Sequence, residues 1–162
     1  MSDLPEVPSP ANEHDKKRSA QLLTFFLDGQ EYGVDILRVQ EIRGWSAPMP
    51  IPGAPSYIKG VINIRGDVVP IADLRERLCL PAFEHGATTA VVVLRVRYKN
   101  RDRIMGVVVD AMSDVTTVPG EALKPPPTFH DSSESLAKEI ATLEDKMITI
   151  LDVDCVFGDQ AA

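Results

Sequence analysis

Apolar side chains in this chain recur in short runs, separated by turn residues, rather than at helical spacing. LLTFFL, then DGQ, then EYGVDI spells two strands around a glycine turn, the pattern of a β-hairpin. YIKGVINI, RG and DVVPI predict a second hairpin, in which Pro70 belongs at a sheet edge or a bulge because it has no N–H for a ladder. AVVVLRVRY, a KNRD turn and RIMGVVVD predict a third; IATL, an ED turn and KMITIL predict a fourth. Eight or more short strands without alternating long helices define an all-β barrel or sandwich. Short helices are expected at 72–78 and at 152–157.

The first 19 residues break this grammar. They hold Pro5, Pro8 and Pro10 among charged and small polar residues, with too little apolar surface to offset the entropy of ordering, so a disordered tail is expected over 1–19. That stretch also lacks the apolar core of a signal peptide, and the run AVVVL at 90–94 is far short of a bilayer span. The two cysteines, Cys79 and Cys155, form no CxxC and read as reduced thiols of a cytoplasmic protein.

Charge narrows the choice of partner. The net charge of -7 repels phosphate backbones and anionic lipid, which argues against nucleic acid and against direct membrane insertion. The distribution is uneven: Arg95, Arg97, Lys99, Arg101 and Arg103 crowd one hairpin, opposed by Asp102, while residues 110–162 carry eleven acids against Lys124, Lys138 and Lys146. If Val92, Leu94, Val96 and Tyr98 point inward, Arg95, Arg97 and Lys99 fall on the solvated face. A small nucleic-acid-binding barrel using the 95–103 hairpin is the alternative, weakened by the lack of interleaved exposed aromatics, with Tyr98 expected to point inward, and by the whole-chain charge.

Catalytic chemistry is not spelled out. His14, His85 and His130 lie in the tail or in polar loops without a ligand partner at metal spacing, and there is no phosphate loop, dinucleotide fingerprint or nucleophile elbow. Asp152 and Asp154 start like a calcium loop, but Gly158 is one position late. The reading is of a protein with no catalytic centre, no metal and no cofactor.

YGVDILRVQEIRG (32–44), SYIKGVINIRGDVVPIADLRERL (56–78), GVVVDAMSDVTTVPGEALKPPP (106–127) and LEDKMITILDVDCVF (143–157) together resemble the CheW-like chemotaxis coupling proteins, in family order and over about residues 20–158. The resemblance implies two intertwined five-stranded SH3-like β-barrels packed together. Subdomain 1 would take about 20–62 plus 128–158, and subdomain 2 about 63–127. It implies an adaptor that joins the cytoplasmic tip of a methyl-accepting chemoreceptor to the regulatory domain of the histidine kinase CheA, recruited to membrane-associated receptor arrays. The pathway served could equally be non-flagellar. It also implies receptor-binding roles for Val39, Glu41, Gly60, Asn63, Arg65 and Gly66, placed where the two subdomains meet; the kinase-binding residues stay unassigned.

Physical chemistry gives each of these residues a reading of its own. Arg65 offers a rigid five-donor fork for a carboxylate, Gly66 permits a tight turn or close approach, and Glu41 is placed to hold the guanidinium ready. Val39 and Ile42 read equally well as core residues. Trp45, beside PMPIPGAP, is expected to act as a lid over one barrel.

Overall fold

The computed structural model describes residues 19–127 and 136–157; most of the expected tail, together with His14 and His130, lies outside them. Eleven strands form two sheets among the described residues: β1 (Ala20–Leu27), β2 (Gln30–Asp35), β3 (Val39–Gly44), β4 (Ile58–Ile64), β5 (Asp67–Asp73), β6 (Ala90–Tyr98), β7 (Arg101–Val109), β8 (Ala111–Val118), β9 (Leu123–Lys124), β10 (Ala137–Thr142) and β11 (Met147–Leu151). One sheet runs β8-β1-β2-β11-β10-β9 and the other β3-β6-β7-β5-β4. The all-β reading with two packed subdomains stands, with one sheet gaining a sixth strand only two residues long.

All four hairpins form, and three close through two-residue turns with positive φ at both positions: Asp28 and Gly29, Arg65 and Gly66, Lys99 and Asn100. That backbone twist matches the twist of the paired strands, which is why these turns connect hairpins. The third turn is shorter than KNRD, because Arg101 and Asp102 already pair with Tyr98 and Arg97. The fourth is longer than ED, closing where the Leu143 N–H donates to the Lys146 carbonyl at 2.8 Å. The two expected helices appear as α1 (Leu74–Arg77) and α2 (Val153–Phe157). Each starts at an aspartate whose side chain accepts from the first free N–H groups, Asp73 from Arg75 and Glu76, Asp152 from Asp154 and Cys155.

The division between subdomains differs from the expected one. Strands β3 and β4, expected with subdomain 1, belong to the second sheet, and β8 and β9, expected with subdomain 2, belong to the first. The chain crosses between sheets at Ile36–Arg38 and at Asp110, not near 62 and 127. Hairpin patterns cannot reveal this, because the pairs that place these strands, β3–β6, β1–β8 and the parallel β5–β7, join strands distant in sequence. Pro70 is also corrected: β5 is an interior strand, and the proline is tolerated because pairing with β7 begins only at Ile71.

Three apolar clusters account for this packing. One lies within the first sheet (Leu22, Val118, Ala141, Ile148, Ile150) and one within the second (Ile64, Val69, Ile71, Val91, Val93, Val108). The largest takes Leu23, Phe25 and Leu27 from one sheet and Val92, Leu94 and Val107 from the other, and so glues the two together. Strand β6 is buried on both faces as far as Leu94, feeding Val91 and Val93 to its own barrel and Val92 and Leu94 to the seam. Beyond that the expected alternation holds, except that Tyr98 is exposed at the hairpin end. Val92, with no exposed surface, is the sharpest test of the seam. Val92→Ala should destabilise the fold by about 2 kcal/mol through lost burial and a residual cavity. Chemical denaturation measures this, and an unchanged midpoint would refute the packing.

Each crossover is fastened by an ion pair. Arg75 of α1 donates from Nε and a terminal nitrogen to the Asp110 carboxylate at 2.8 and 2.7 Å. Arg38 grips Asp154 of α2 at 2.9 and 2.7 Å. Burial alone would raise the Asp110 carboxyl, but the Arg75 fork, the Asp28 N–H and the Arg75 charge hold it below its usual range. The Arg38 hydrogen bonds outweigh burial to lower Asp154 likewise. Since both carboxyls are depressed in the folded state, their stabilisation is complete above the unfolded value near pH 4 and drains away as pH falls through the folded values. Melting temperature should therefore drop on acidification below about pH 4, less so in an Asp110→Asn, Asp154→Asn variant. An equally steep drop in that variant would contradict the assignment.

Candidate functional site

All six residues singled out in the sequence lie on the second sheet, on β3, β4 or the turn after it. Strand β3 carries two different faces. Val39 and Ile42 pair across to Leu94 and Val92 of the seam cluster, whereas Glu41 and Arg43 pair with Val93 and Val91, which line the barrel interior. A register shift between Val39 and Glu41 allows this change of side. Val39 is half-buried against the seam cluster, while Ile42 is exposed.

The β4–β5 turn brings Arg65 across the mouth of the barrel. There it forms an ion pair with Glu41, whose other oxygen accepts from Arg43 at 3.0 Å. Glu41 is mostly covered, at 19% side-chain exposure, whereas Arg65 is 72% exposed. One end of the guanidinium is thus anchored and the remaining donors face solvent. The Arg43 hydrogen bond, against the small cost of burial, and the two positive charges keep the Glu41 carboxyl below its ordinary range. A shallow groove of about 270 Å³ runs beside the pair, floored by Ile64, Val69, Val93 and Ile104. The expected position at the subdomain boundary is therefore corrected: the Glu41–Arg65 groove opens on the second barrel's own interior, and of the six only Val39 packs on the seam.

Asn63 and the two glycines build the turn and its support. The Gly66 N–H donates to Asn63 Oδ1 at 2.9 Å, so this side chain locks the turn that presents Arg65. Gly60 has φ +147°, and a Cβ there would lie 2.2 Å from the Met49 carbonyl oxygen. That contact is part of a two-way bridge, Met49 with Val61 at 2.9 Å in both directions, by which the 45–57 connector spans from edge strand β3 to edge strand β4. Gly60 thereby lets the barrel close.

Trp45 covers the second barrel's cluster as the expected lid and stacks on His85, with ring centroids 3.9 Å apart and planes 16° from parallel. Arg43 was not singled out in the sequence. Its i, i+2 relation to Glu41 on a strand could have revealed it, because both side chains must share a face. The basic hairpin is largely committed to its own surroundings: Arg95 bonds Gln40 and the Leu37 carbonyl, Arg97 pairs with Asp102, and Lys99 and Arg103 lie over the Tyr98 ring. Among the described residues no group of three His, Cys, Asp or Glu side chains is placed to hold a metal ion, and no helix is long and apolar enough to cross a membrane.

A twin-barrel fold with a half-anchored arginine at the rim of a groove of mixed polar and apolar lining has the features of a protein-recognition module. The CheW-like domain model matches residues 21–161. The chain is 37% identical to the chemotaxis protein CheW of Rhizobium meliloti, over 93% of this chain and 95% of that one. It is 38% identical to the CheW of Klebsiella aerogenes, over 86% and 82%. A crystal structure of the scaffolding protein TtCheW from Thermoanaerobacter tengcongensis superposes with a TM-score of 0.76 at 27% identity, covering 86% of this chain and 92% of that one. The chain belongs to the CheW-like domain family and is a chemotaxis coupling protein of the scaffold type.

Proposed function

We propose that this protein couples the cytoplasmic tip of a chemoreceptor to the regulatory domain of the histidine kinase CheA, working in the cytoplasm at receptor arrays and catalysing no reaction itself. The observation that carries the receptor half of this reading is Arg65: anchored by Glu41, carried on a turn locked by Asn63, and facing solvent beside an apolar floor. A receptor helix docking there would seat apolar anchors on Ile64, Val69 and Ile104 and offer a carboxylate to the remaining guanidinium donors. Val39 and Ile42 lie on the other, seam side of β3, so a receptor would meet them only by wrapping over that edge strand.

Because Glu41 holds the guanidinium before the partner arrives, little side-chain entropy remains to be lost on binding. Individual contacts of this kind are modest in strength, and an array compensates through avidity. Sedimentation of the protein with a receptor cytoplasmic fragment and the kinase is the test. The expected result is co-sedimentation of the kinase only when this protein is added; kinase recruitment that is the same without it would defeat the reading.

A further inference from the structure

The two crossovers are the only covalent links between the sheets among the described residues, and both are fastened in the same way. At Asp110, Arg75 of the second barrel grips the carboxylate with two nitrogens. The same carboxylate receives the Asp28 N–H, at 2.8 Å, from the β1–β2 turn of the first barrel. Arg75 also reaches the Pro81 carbonyl, lies 4.6 Å from the Phe83 ring and comes within 3.8 Å of the Asp28 carboxylate.

At the other crossover Arg38 holds Asp154, which sits on α2 of the first barrel, and also donates to the Arg95 carbonyl of the second. Asp154 in turn accepts the Arg97 N–H at 2.8 Å. Asp110 therefore bonds to groups from both barrels, and Asp154, carried by the first, bonds to the crossover and to the second.

These contacts do something the seam cannot. Hydrophobic burial is non-directional, so apolar contacts by themselves specify an orientation less tightly than directional ones do. A bidentate guanidinium–carboxylate pair has a fixed geometry. Partly buried ion pairs contribute little net stability, because desolvation offsets much of the attraction, so their value lies in the arrangement they select. Two such pairs at separate points remove the rotations that a single one would leave open.

We infer that Arg75–Asp110 and Arg38–Asp154 are positioning pairs that set the orientation of one barrel on the other, with Arg75, Asp110, Arg38 and Asp154 acting as pins at the two crossovers. Taken with the proposed coupling role, on which only this consequence rests, the pins determine where the first barrel stands relative to the Arg65 groove.

The test uses the full chain with Cys79→Ser, spin-labelled at Glu144→Cys in the first barrel and Arg101→Cys in the second, with distances read by pulsed dipolar spectroscopy and no partner present. The parent should give one narrow distance distribution. Adding Asp110→Asn and Asp154→Asn should broaden or split it while strand circular dichroism is retained; a folded double variant with the parent's narrow distribution overturns the inference. Should the double variant fail to fold, Arg75→Lys with Arg38→Lys decides, since it keeps both charges and removes both forks. Broadening there supports the pins, and an unchanged distribution overturns them. Since no receptor or kinase enters this measurement, failure of the docking assignment leaves its outcome untouched.

Discussion

Arg65→Glu is expected to reduce capture of a receptor cytoplasmic fragment at least roughly tenfold, because a like charge placed in an interface costs several kcal/mol. The effect is large for a single surface residue because two things fail together. The groove loses its carboxylate-binding fork, and the new carboxylate sits beside Glu41, which the structure holds ready for a cation. The fold should hardly notice, since Arg65 is 72% exposed and sits on a surface turn. Thermal melts within a few degrees of the parent, alongside lost binding in a pull-down or calorimetric titration, are the expected pair of results. Arg65→Lys should fall between the two, keeping the charge without the planar fork. Full receptor binding by a folded Arg65→Glu protein would remove the residue from the site.

Gly60→Ala should act in the opposite way, through the fold. A Cβ there would lie 2.2 Å from the Met49 carbonyl oxygen and 2.6 Å from its carbon, both backbone atoms that cannot swing aside. The φ of +147° is itself unfavourable for an L side chain. The connector must lift off β4, breaking the Met49–Val61 bridge and loosening the Trp45 lid. A loss of about 3 kcal/mol or more, near 10 °C in melting temperature for a domain of this size, is expected. Receptor binding would weaken as a consequence of the opened barrel. A melt equal to the parent's would show that the connector does not close the barrel at this point.

These two variants also mark how far the sequence can be read. Hairpins were legible because strand alternation and turn chemistry are local: Asp28–Gly29 and Arg65–Gly66 announce their turns without reference to anything distant. The Glu41–Arg65 partnership was legible too, from a charge pair that the family resemblance placed on one surface. What was not legible depends on long-range pairing. The β3–β6 pairing, and the parallel β5–β7 pairing that carries the β4–β5 hairpin, put β3 and β4 in the second sheet, and with them the groove away from the seam. Asn63 read as a recognition residue; only the folded turn shows that its oxygen also accepts the Gly66 N–H and so holds the turn that carries Arg65. Arg38 and Asp154 are 116 positions apart, and no periodicity connects them.

The proposed function rests on a receptor being held at the mouth of the second barrel, against the anchored guanidinium. Backbone amide shifts of the isotope-labelled protein, recorded as a receptor cytoplasmic fragment is titrated in, test it most directly. Perturbations concentrated at 39–44 and 60–66 are expected. Perturbations confined to the first barrel, along 111–118 and 137–151, with those two stretches unmoved, would contradict it.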